Sequence, residues 1–585
     1  MKHMLRAAKT RAAILLPASC LLFVPATAWP SPGLPPIPSD KPFVRLFNYF
    51  TPTPEEAEHL NNLPKAEQER VIDELTSWYG LFHSHRLGFA TKGRSETSLA
   101  AKLVQKGAVV SNYRNGSYTI GEETTLLEQA LPHCIQTWWP GHKSPGSGGS
   151  NDPAARLKID LTPIETEIRL TSPTAYKPAL APESWPYLPS RGAGAVVGNA
   201  HSSNTHDFVS WIKINNEIMR VRKVGFAGDT IALTVDRGYF ATEATEHKLG
   251  ARVLSPMYVG STSASTTDFK FAGSPAVDNP SKSLRHGLTY WKPEAVTWLA
   301  ARVKAGLGGG ETPPGLQGYN AIWLDITSST SYNTADAFGQ PVVTWDDARD
   351  QLMTVTARAD YQLQKVRKLK EELEKIGVHG AKVIINNVAA GGRSAEADAA
   401  QNKMLGDPVV DGGCLENWMF SPNMWNGNMN QHFLIQQHNW PGVYLVYWER
   451  GRPDFPPEQH LSFAYGAYLA GWRPTATHSF FGGNFKLKKP PELFFWNWGA
   501  PRSNPSSLEE LLKQAARAEG NGSEKPVIFR RDFENGIILV NPGPVTARCD
   551  LEQQYWDVLD KDGHGRPRLV KSVSLKVGDA AFLMR

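Results

Sequence analysis

Short apolar runs that end in polar residues alternate with helical segments through the second half of the chain. Four of these runs are followed directly by Asp325, by Asn386 and Asn387, by Glu416 and by Glu449. Their separations match the length of one or two strand–helix units. Continuous apolar strands that alternate with helices are typical of a parallel sheet buried on both faces. The pattern therefore predicts an α/β fold.

Four further runs complete a set of eight. Residues 43–47 lead to Asn48 and Tyr49, and two more runs occur near 81–89 and 108–110. The last run, 479–481, ends in a Gly-Gly pair. Eight parallel strands are the number that closes a (β/α)8 TIM barrel, so we predict that architecture.

One long helix is predicted between the fourth and fifth runs, from about Trp345 to Ile376. Thr344 and Asp347 have the spacing of a capping-box variant at its start. Gly377 is a typical stop signal at its end.

Two regions depart from the strand–helix alternation. Residues 156–257 contain alternating apolar and polar positions without helical periodicity, which indicates an all-β domain inserted after the third barrel strand. Residues 520–585 show a similar pattern with tight turns, which indicates a small β-sandwich. The predicted organisation is a leader at 1–28, a Pro-rich linker at 29–42, barrel segments at 43–155 and 258–519 on either side of the insert at 156–257, and a C-terminal β-sandwich at 520–585.

The first 28 residues have the pattern of a secretory signal peptide. Four basic residues between positions 2 and 11 precede an apolar run at 12–24, and Ala26-Thr27-Ala28 supplies a small-residue cleavage site. Thirteen apolar residues are too few to span a bilayer, which needs about 20. We predict cleavage near Ala28 and a secreted or extracytoplasmic protein.

Charge and motif content exclude several classes of function. Removing the leader lowers the formal charge from +5 to +1, and no basic stripe remains to predict binding to nucleic acid or an anionic membrane. No Walker, zinc-protease, nucleophile-elbow or dinucleotide motif occurs in the expected context, so neither a cofactor nor a metal is predicted. Cys134, Cys414 and Cys549 are too few for a disulfide scaffold, although one bridge and one free thiol remain open.

Aromatic residues are abundant, with 18 Trp, 17 Tyr and 24 Phe. Several tryptophans occur in polar, Gly/Pro/Asn-rich sequence, where a core role is less natural than stacking on sugar rings. They are Trp138, Trp139, Trp418, Trp425, Trp496 and Trp498. Together with polar residues at the strand ends, they point to a saccharide site, whose predicted binding residues are Asn48, Tyr49, Asn386, Asn387, Trp418 and Trp448.

Three carboxylates follow predicted barrel strands, at the end where TIM-barrel active sites lie. Hydrolysis of a glycosidic bond needs two carboxyl groups, one to donate a proton and one to attack or to activate water. We predict Asp325 and Glu416 as this catalytic pair and Glu449 as a reserve acid. The alternative is that each acid caps a helix or pairs with a nearby arginine, and it applies most readily to Glu449, which adjoins Arg450.

Three segments carry a resemblance to a known family. The segments at 319–325, 413–418 and 531–542 resemble the fifteenth group of hypothetical glycosyl-hydrolase-like proteins, a family of TIM-barrel glycosidases, and the likeness covers about residues 43–150 and 258–585. The resemblance implies kinship with retaining glycosidases that carry an Asp on strand four and an acid on strand six. Asp325 and Glu416 occupy those places, with Glu where related α-galactosidase-type enzymes have Asp.

Two functions of different classes fit this sequence. The first is a secreted glycoside hydrolase that acts on a poly- or oligosaccharide by a two-carboxylate mechanism, retaining if the resemblance holds. The second is an inactive carbohydrate-binding or cell-surface structural protein on the same barrel, since a fold does not by itself fix chemistry. An enzyme requires both carboxyl groups to face one cleft, whereas a binding protein requires only aromatic surfaces.

Overall fold

The computed structural model describes most of the chain beyond the predicted leader. The described residues are 35–50, 62–83, 99–119, 130–139, 155–171, 211–227, 230–256, 287–308, 318–325, 344–386, 395–450, 455–516 and 527–585, together with short pieces at 56, 59, 127, 258–259, 327, 334–335 and 518–520. The leader at 1–28 and Asn387 lie outside them.

Eight parallel strands close into a barrel in the order β1-β8-β7-β6-β5-β4-β3-β2, which confirms the predicted fold class. The strands are β1 (Leu46–Tyr49), β2 (Tyr79–His83), β3 (Val109–Asn115), β4 (Ala321–Asp325), β5 (Lys382–Asn386), β6 (Gly412–Glu416), β7 (Gly442–Val446) and β8 (Ser479–Gly483).

A helix connects each strand of the barrel to the next. These helices are α1 (Lys65–Trp78), α2 (Leu99–Gln105), α3 (Pro293–Gly308), α4 (Val355–Lys375), α5 (Ala395–Gly406), α6 (Trp425–His438) and α7 (Pro457–Gly471), and a shorter helix α8 (Leu508–Leu512) follows β8.

The barrel strands are apolar at successive positions because both of their faces are buried. Alternate residues such as Leu46, Ile322 and Tyr444 face outward and pack in the same apolar cluster as residues of the helices. The residues between them face inward and fill the barrel. This inner cluster contains Phe47, Leu81, Trp323, Ile384, Cys414, Val443, Leu445, Tyr447 and Phe480.

Helix α4 begins ten residues later than the sequence pattern predicts. Thr354 is its N-cap and accepts a hydrogen bond from the amide of Ala357 at 3.1 Å. Thr344 instead accepts a hydrogen bond from Arg358 at 2.7 Å, and the residues after it form a short hairpin. The predicted stop is correct, since Gly377 follows the helix with a positive φ of 83°. Tertiary contacts of Thr344 therefore override the local capping signal.

The region after β3 carries a four-stranded antiparallel sheet, called here the inserted sheet. Its strands lie in the order Glu167–Thr171, Thr230–Asp236, Glu217–Ala227 and Trp211–Ile214. Residues such as Ile168, Leu233 and Met219 form a separate apolar core. Two-residue strand pairs join Thr137–Trp138 to Ser255–Pro256, Tyr258–Val259 to Thr334–Ala335, and Trp345–Asp346 to Gln351–Leu352.

The C-terminal region forms a six-stranded antiparallel sheet that is buried on both faces. Ile538, Val540 and Phe582 join the apolar cluster that includes α7. Ile537 and Leu583 belong to a second core within the C-terminal region. The strands are Glu519–Gly520, Phe529–Asp532, Gly536–Asn541, Ala547–Lys561, Pro567–Leu575 and Asp579–Met584.

Cysteine pairing, which the sequence leaves open, is decided by position. Cys134, Cys414 and Cys549 are each buried and free. Within the described ranges, no helix is both long enough and apolar enough to cross a membrane.

Candidate active site

A ring of mostly polar residues caps the inner cluster at the carboxyl ends of the strands. Because side chains alternate along a strand, the residue two positions beyond an inward-facing residue also faces inward. Seven strands therefore place one side chain each at the barrel mouth. This mouth layer contains Tyr49, His83, Tyr113, Asp325, Asn386, Glu416 and Tyr447, and Gly482 occupies the corresponding place on β8.

Asn386 connects the two predicted catalytic carboxylates. Its amide nitrogen donates to Oδ1 of Asp325 at 2.7 Å and to Oε2 of Glu416 at 2.9 Å. The two acceptor oxygens are therefore separated by at most the sum of these lengths, 5.6 Å. The separation is about 5 Å when the bonds diverge as two amide protons do. Asp325 and Glu416 thus meet at one point of the mouth.

Two tyrosines hold the other oxygen of each carboxylate. The hydroxyl of Tyr113 donates to Oδ2 of Asp325 at 2.5 Å, and that of Tyr447 donates to Oε1 of Glu416 at 2.9 Å. Burial raises the pKa of each phenol above its ordinary value, and the adjacent carboxylate raises the pKa further. Both phenols consequently stay protonated at neutral pH and act as donors.

Aromatic rings form a continuous wall beside the carboxylates. Phe47 stacks on Trp323 at 5.7 Å between ring centroids, and His83 lies 4.4 Å from the same indole. Tyr49 stacks on His83 at 5.2 Å and meets Tyr447 edge to face at 5.7 Å. This wall has the flat apolar character that suits the face of a sugar ring.

A buried lysine anchors the chain immediately after Asp325. Lys365 of α4 donates to the carbonyl of Gly116 at 2.6 Å and to the hydroxyl of Thr327 at 3.1 Å. The amide of Gly116 in turn donates to the carbonyl of Asp325 at 3.0 Å. Burial lowers the pKa of Lys365 well below its ordinary value. The lysine therefore ties the ends of β3 and β4 together behind the mouth layer.

Three predicted binding residues do not reach the mouth layer. Asn48 faces away from the barrel interior, is fully buried and accepts a hydrogen bond from the amide of Phe485 at 3.2 Å. Trp448 packs against the same phenylalanine at 4.6 Å. Trp418 is fully buried, and its indole donates to the carbonyl of Ala464 in α7 at 3.0 Å. These positions follow strand ends, but their side chains face the outer layer.

The wider expectation that loop tryptophans stack on sugars needs the same correction. Trp139 is half-buried, whereas the other five tryptophans of that set are buried in the cores of the barrel and the C-terminal region, because helix and sheet surfaces close over them. The five are Trp138, Trp418, Trp425, Trp496 and Trp498.

Glu449, the reserve acid, lies exposed on the short 3-10 helix Trp448–Arg450 that follows β7. Asn387 is outside the described residues. Tyr49 and Asn386, by contrast, are members of the mouth layer.

Sequence reasoning missed Tyr113, Tyr447 and His83 as parts of the site. Each lies two residues beyond an inward-facing residue of its strand, so strand parity would have identified them once the register was known. No group of three or more His, Cys, Asp or Glu residues in the described part of the chain could hold a metal ion.

Comparisons with known proteins return solved structures only. No protein-family model matches the chain, and no curated protein sequence is similar to it. An α-amylase from Anoxybacillus has 8% identity and a TM-score of 0.31 over 93% of this chain and 98% of its own. A debranching enzyme from Nostoc punctiforme has 10% identity and a TM-score of 0.32 over 94% and 100%, respectively.

An α-amylase from Geobacillus thermoleovorans has 9% identity and a TM-score of 0.33, with coverage of 92% of this chain and 98% of its own. The chain spans about half the length, 55%, of a Paenibacillus glucanotransferase that it also matches. At these identities the likeness concerns the fold alone. The closed eight-stranded barrel and the mouth layer carry the functional argument.

Proposed function

We propose that the protein is a glycoside hydrolase that cleaves O-glycosidic bonds in a poly- or oligosaccharide with retention of configuration. The observation that carries the proposal is the contact of one Asn386 nitrogen with both Asp325 and Glu416. A separation of about 5–5.5 Å between carboxyl groups is typical of retaining enzymes, and roughly 6.5–9.5 Å of inverting ones. The upper bound of 5.6 Å between the bridged oxygens supports the retaining arrangement.

In this mechanism Asp325 attacks the anomeric carbon while Glu416 donates a proton to the departing glycosidic oxygen. A water molecule then loses a proton to Glu416 and attacks the same carbon, which releases Asp325. The assignment of the two roles rests on the resemblance of β4 and β6 to retaining glycosidases. Membership of the fifteenth hypothetical group is part of the proposal and rests on the three quoted segments.

The protonated phenols support this chemistry by fixing the rotamers of the two acids. Tyr113 and Tyr447 each occupy one carboxylate oxygen and Asn386 occupies the other. Fixed polar donors at the reacting groups lower the cost of reorganisation during the reaction.

The test is release of reducing ends from a panel of glycans by the mature protein and by Asp325→Asn and Glu416→Gln. Each substitution removes the reacting carboxylate with little change in volume, and we expect a loss of at least about 10³-fold in kcat. Glu371→Gln, on an exposed position of α4, is the matched control. Proton NMR of the first product should show the anomer of the substrate.

Binding of a glycan without hydrolysis by the unmodified protein would instead establish the inactive carbohydrate-binding alternative. A loss of activity in Glu449→Gln, with Glu416→Gln unaffected, would move the acid role to the reserve acid. Release of the opposite anomer would exclude retention.

We also propose that the protein is exported after cleavage near Ala28. The basic, apolar and small-residue regions of the leader support export. N-terminal sequencing of the secreted protein should begin close to Trp29, and deletion of 2–28 should keep the product inside the cell. Secreted material that begins with Met1 would contradict cleavage.

A further inference from the structure

A cavity of about 610 Å³ lies between the inserted sheet and two loops of the barrel. This space, called here the junction cavity, is within the size range of small-molecule sites. Its lining includes Arg156, Lys213, Arg252, Trp291, Lys292 and Asp347.

The junction cavity opens on the same end of the barrel as the mouth layer. Trp291 and Lys292 directly precede α3, and Asp347 lies between β4 and α4. Segments that lead from a barrel strand into the next helix lie at the carboxyl ends of the strands, where the active site is found. A ligand that extends from the mouth can therefore reach this cavity along one face of the protein.

One carboxylate serves two lysines in the cavity. Lys292 lies 2.5 Å from Oδ2 of Asp347, whereas Lys213 is 3.6 Å from the same oxygen, and Trp291 donates to Oδ1 at 2.7 Å. The Lys213 side chain is only 8% exposed. Its pKa is lowered by burial and by Lys292, and Asp347 offsets this in part. The two ammonium groups carry more charge than the carboxylate can neutralise.

Two arginines add positive charge on the side of the inserted sheet. The guanidinium groups of Arg156 and Arg252 lie 4.5 and 5.7 Å from the ring of Trp139, and Arg252 lies 4.7 Å from the ring of Trp345. Burial lowers the pKa of Arg156, and its neighbour Arg252 lowers it further. Among the described residues Arg156 has no carboxylate partner, and the Asp350 partner of Arg252 is exposed. The arginines form a fork suited to an anionic group.

Aromatic surface accompanies this charge. Trp291 is fixed by stacking on Tyr361 at 5.2 Å between centroids and by its hydrogen bond to Asp347, and Trp345 also lines the cavity. Indole rings beside fixed cations can contact the apolar face of a sugar while the cations bind its charged substituent.

We propose that the junction cavity is a second carbohydrate-binding site that accepts an acidic saccharide, one that carries carboxylate or sulfate groups. The saccharide part of this proposal rests on the proposed hydrolase function, and the anionic part rests on the four cations of the cavity. Binding is therefore measured directly, independently of hydrolysis.

The experiment is isothermal titration of the full mature chain carrying Asp325→Asn and Glu416→Gln, so that no probe is consumed. The probes are a tetragalacturonate, a sulfated tetrasaccharide, neutral maltotetraose and inorganic sulfate. We expect tight binding of one or both acidic tetrasaccharides and an affinity at least about 10-fold lower for maltotetraose and for sulfate. The tighter of the two acidic probes identifies the charged substituent.

Arg252→Gln should weaken binding of the acidic tetrasaccharide by about 10-fold or more, because it removes one arm of the fork. Lys213→Met tests the buried cation in the same way, and near-ultraviolet circular dichroism reports whether either variant is folded. Arg222→Gln is the matched control, since it removes one exposed positive charge from the same inserted sheet.

Equal weakening by Arg222→Gln and Arg252→Gln would overturn the site, as would absence of binding by both acidic probes. Binding of sulfate as tight as that of the tetrasaccharides would leave an anion site and refute the saccharide. If hydrolysis is found without acidic binding, only this inference fails. If binding at the cavity is found without hydrolysis, only the proposed function fails.

Discussion

The barrel mouth and the inserted sheet both bury glutamate or aspartate, but they surround the carboxylates differently. In the inserted sheet, Glu217 is fully buried and receives hydrogen bonds from Arg237 at 2.7 and 2.8 Å. The amides of Gly238 and Thr245 and the ring of His247 complete its shell. At the mouth, the hydrogen bonds described for Asp325 and Glu416 come from an amide and two phenols, all of them neutral.

This difference separates a structural carboxylate from a reactive one. A charge paired with a guanidinium is stable in the interior but has no free electron pair directed at a ligand. Two half-buried carboxylates held about 5 Å apart by neutral donors keep their negative charge and repel each other. Such an arrangement costs stability and supplies reactivity, as is typical of functional sites.

The largest effect on stability is expected at Glu217. Glu217→Gln leaves the buried Arg237 without its countercharge, so we expect the unfolding free energy of the inserted sheet to fall by about 3 kcal/mol. Asp325→Asn should leave the stability of the barrel unchanged or higher, because it removes one of two like charges. Hydrogen exchange of peptides from 211–236 and from the barrel measures both effects.

Glu167→Gln, at an exposed position of the same inserted sheet, is the control for Glu217→Gln and should change protection little. Equal loss of protection in these two variants would contradict the structural role of Glu217.

Acid should weaken the inserted sheet through the same residue. Burial alone would raise the pKa of Glu217, but its hydrogen bonds from Arg237 and the backbone lower the pKa from 4.5 to about 2. The stabilisation is therefore complete above pH 4.5 and is lost as the pH falls towards 2, by about 3 kcal/mol in all. The difference in melting temperature between the unmodified protein and Glu217→Gln should shrink from pH 7 to pH 3. A constant difference would show that the carboxylate does not titrate with folding.

Removal of the bridge between the catalytic acids should slow the reaction without loss of the fold. Asn386→Leu deletes two hydrogen bonds to charged groups, and we expect kcat to fall by about 100-fold while KM changes little. The acidic limb of the pH–rate profile should move to higher pH, because the variant no longer donates to the ionised acids. Asn402→Leu, on α5, is the control. An unchanged pH profile would mean that the bridge has no role in positioning.

The smallest effects are expected from the phenols. Tyr113→Phe and Tyr447→Phe each remove one hydrogen bond to a carboxylate, so kcat should fall by about 10-fold in each case. Tyr239→Phe, in the inserted region, should have no effect. Because burial raises the pKa of Tyr113 and Tyr447, neither phenol should produce an alkaline limb near its ordinary value. A limb near pH 10 that disappears in either variant would contradict this.

The barrel could be predicted from the sequence because each strand is a short apolar run with a polar end. The catalytic candidates Asp325 and Glu416 could be predicted for the same reason, since a strand end in a barrel points to one face. Trp418 and Trp448 could not be placed by this argument. Both follow strands, but whether a side chain faces the lumen or the helices depends on a register of one residue.

Local signals were also insufficient for the start of α4 and for the role of Thr344. A Thr followed three residues later by an acid is a capping pattern, yet Arg358 and the short hairpin engage this segment first. Contacts between residues distant in sequence decide such cases, because they offer hydrogen bonds that compete with the local cap.

The sequence by itself determined the alternation of strands and helices, the two additional β regions and the acids at the ends of β4 and β6. These features depend on hydrophobic periodicity, which is a property of neighbouring residues. Only the tertiary structure decided that Asn386 joins Asp325 to Glu416, that Tyr113 and Tyr447 complete their shells, and that four cations meet beside the inserted sheet. Barrel closure brings together side chains that lie far apart along the chain, and the distances between them depend on strand register and stagger.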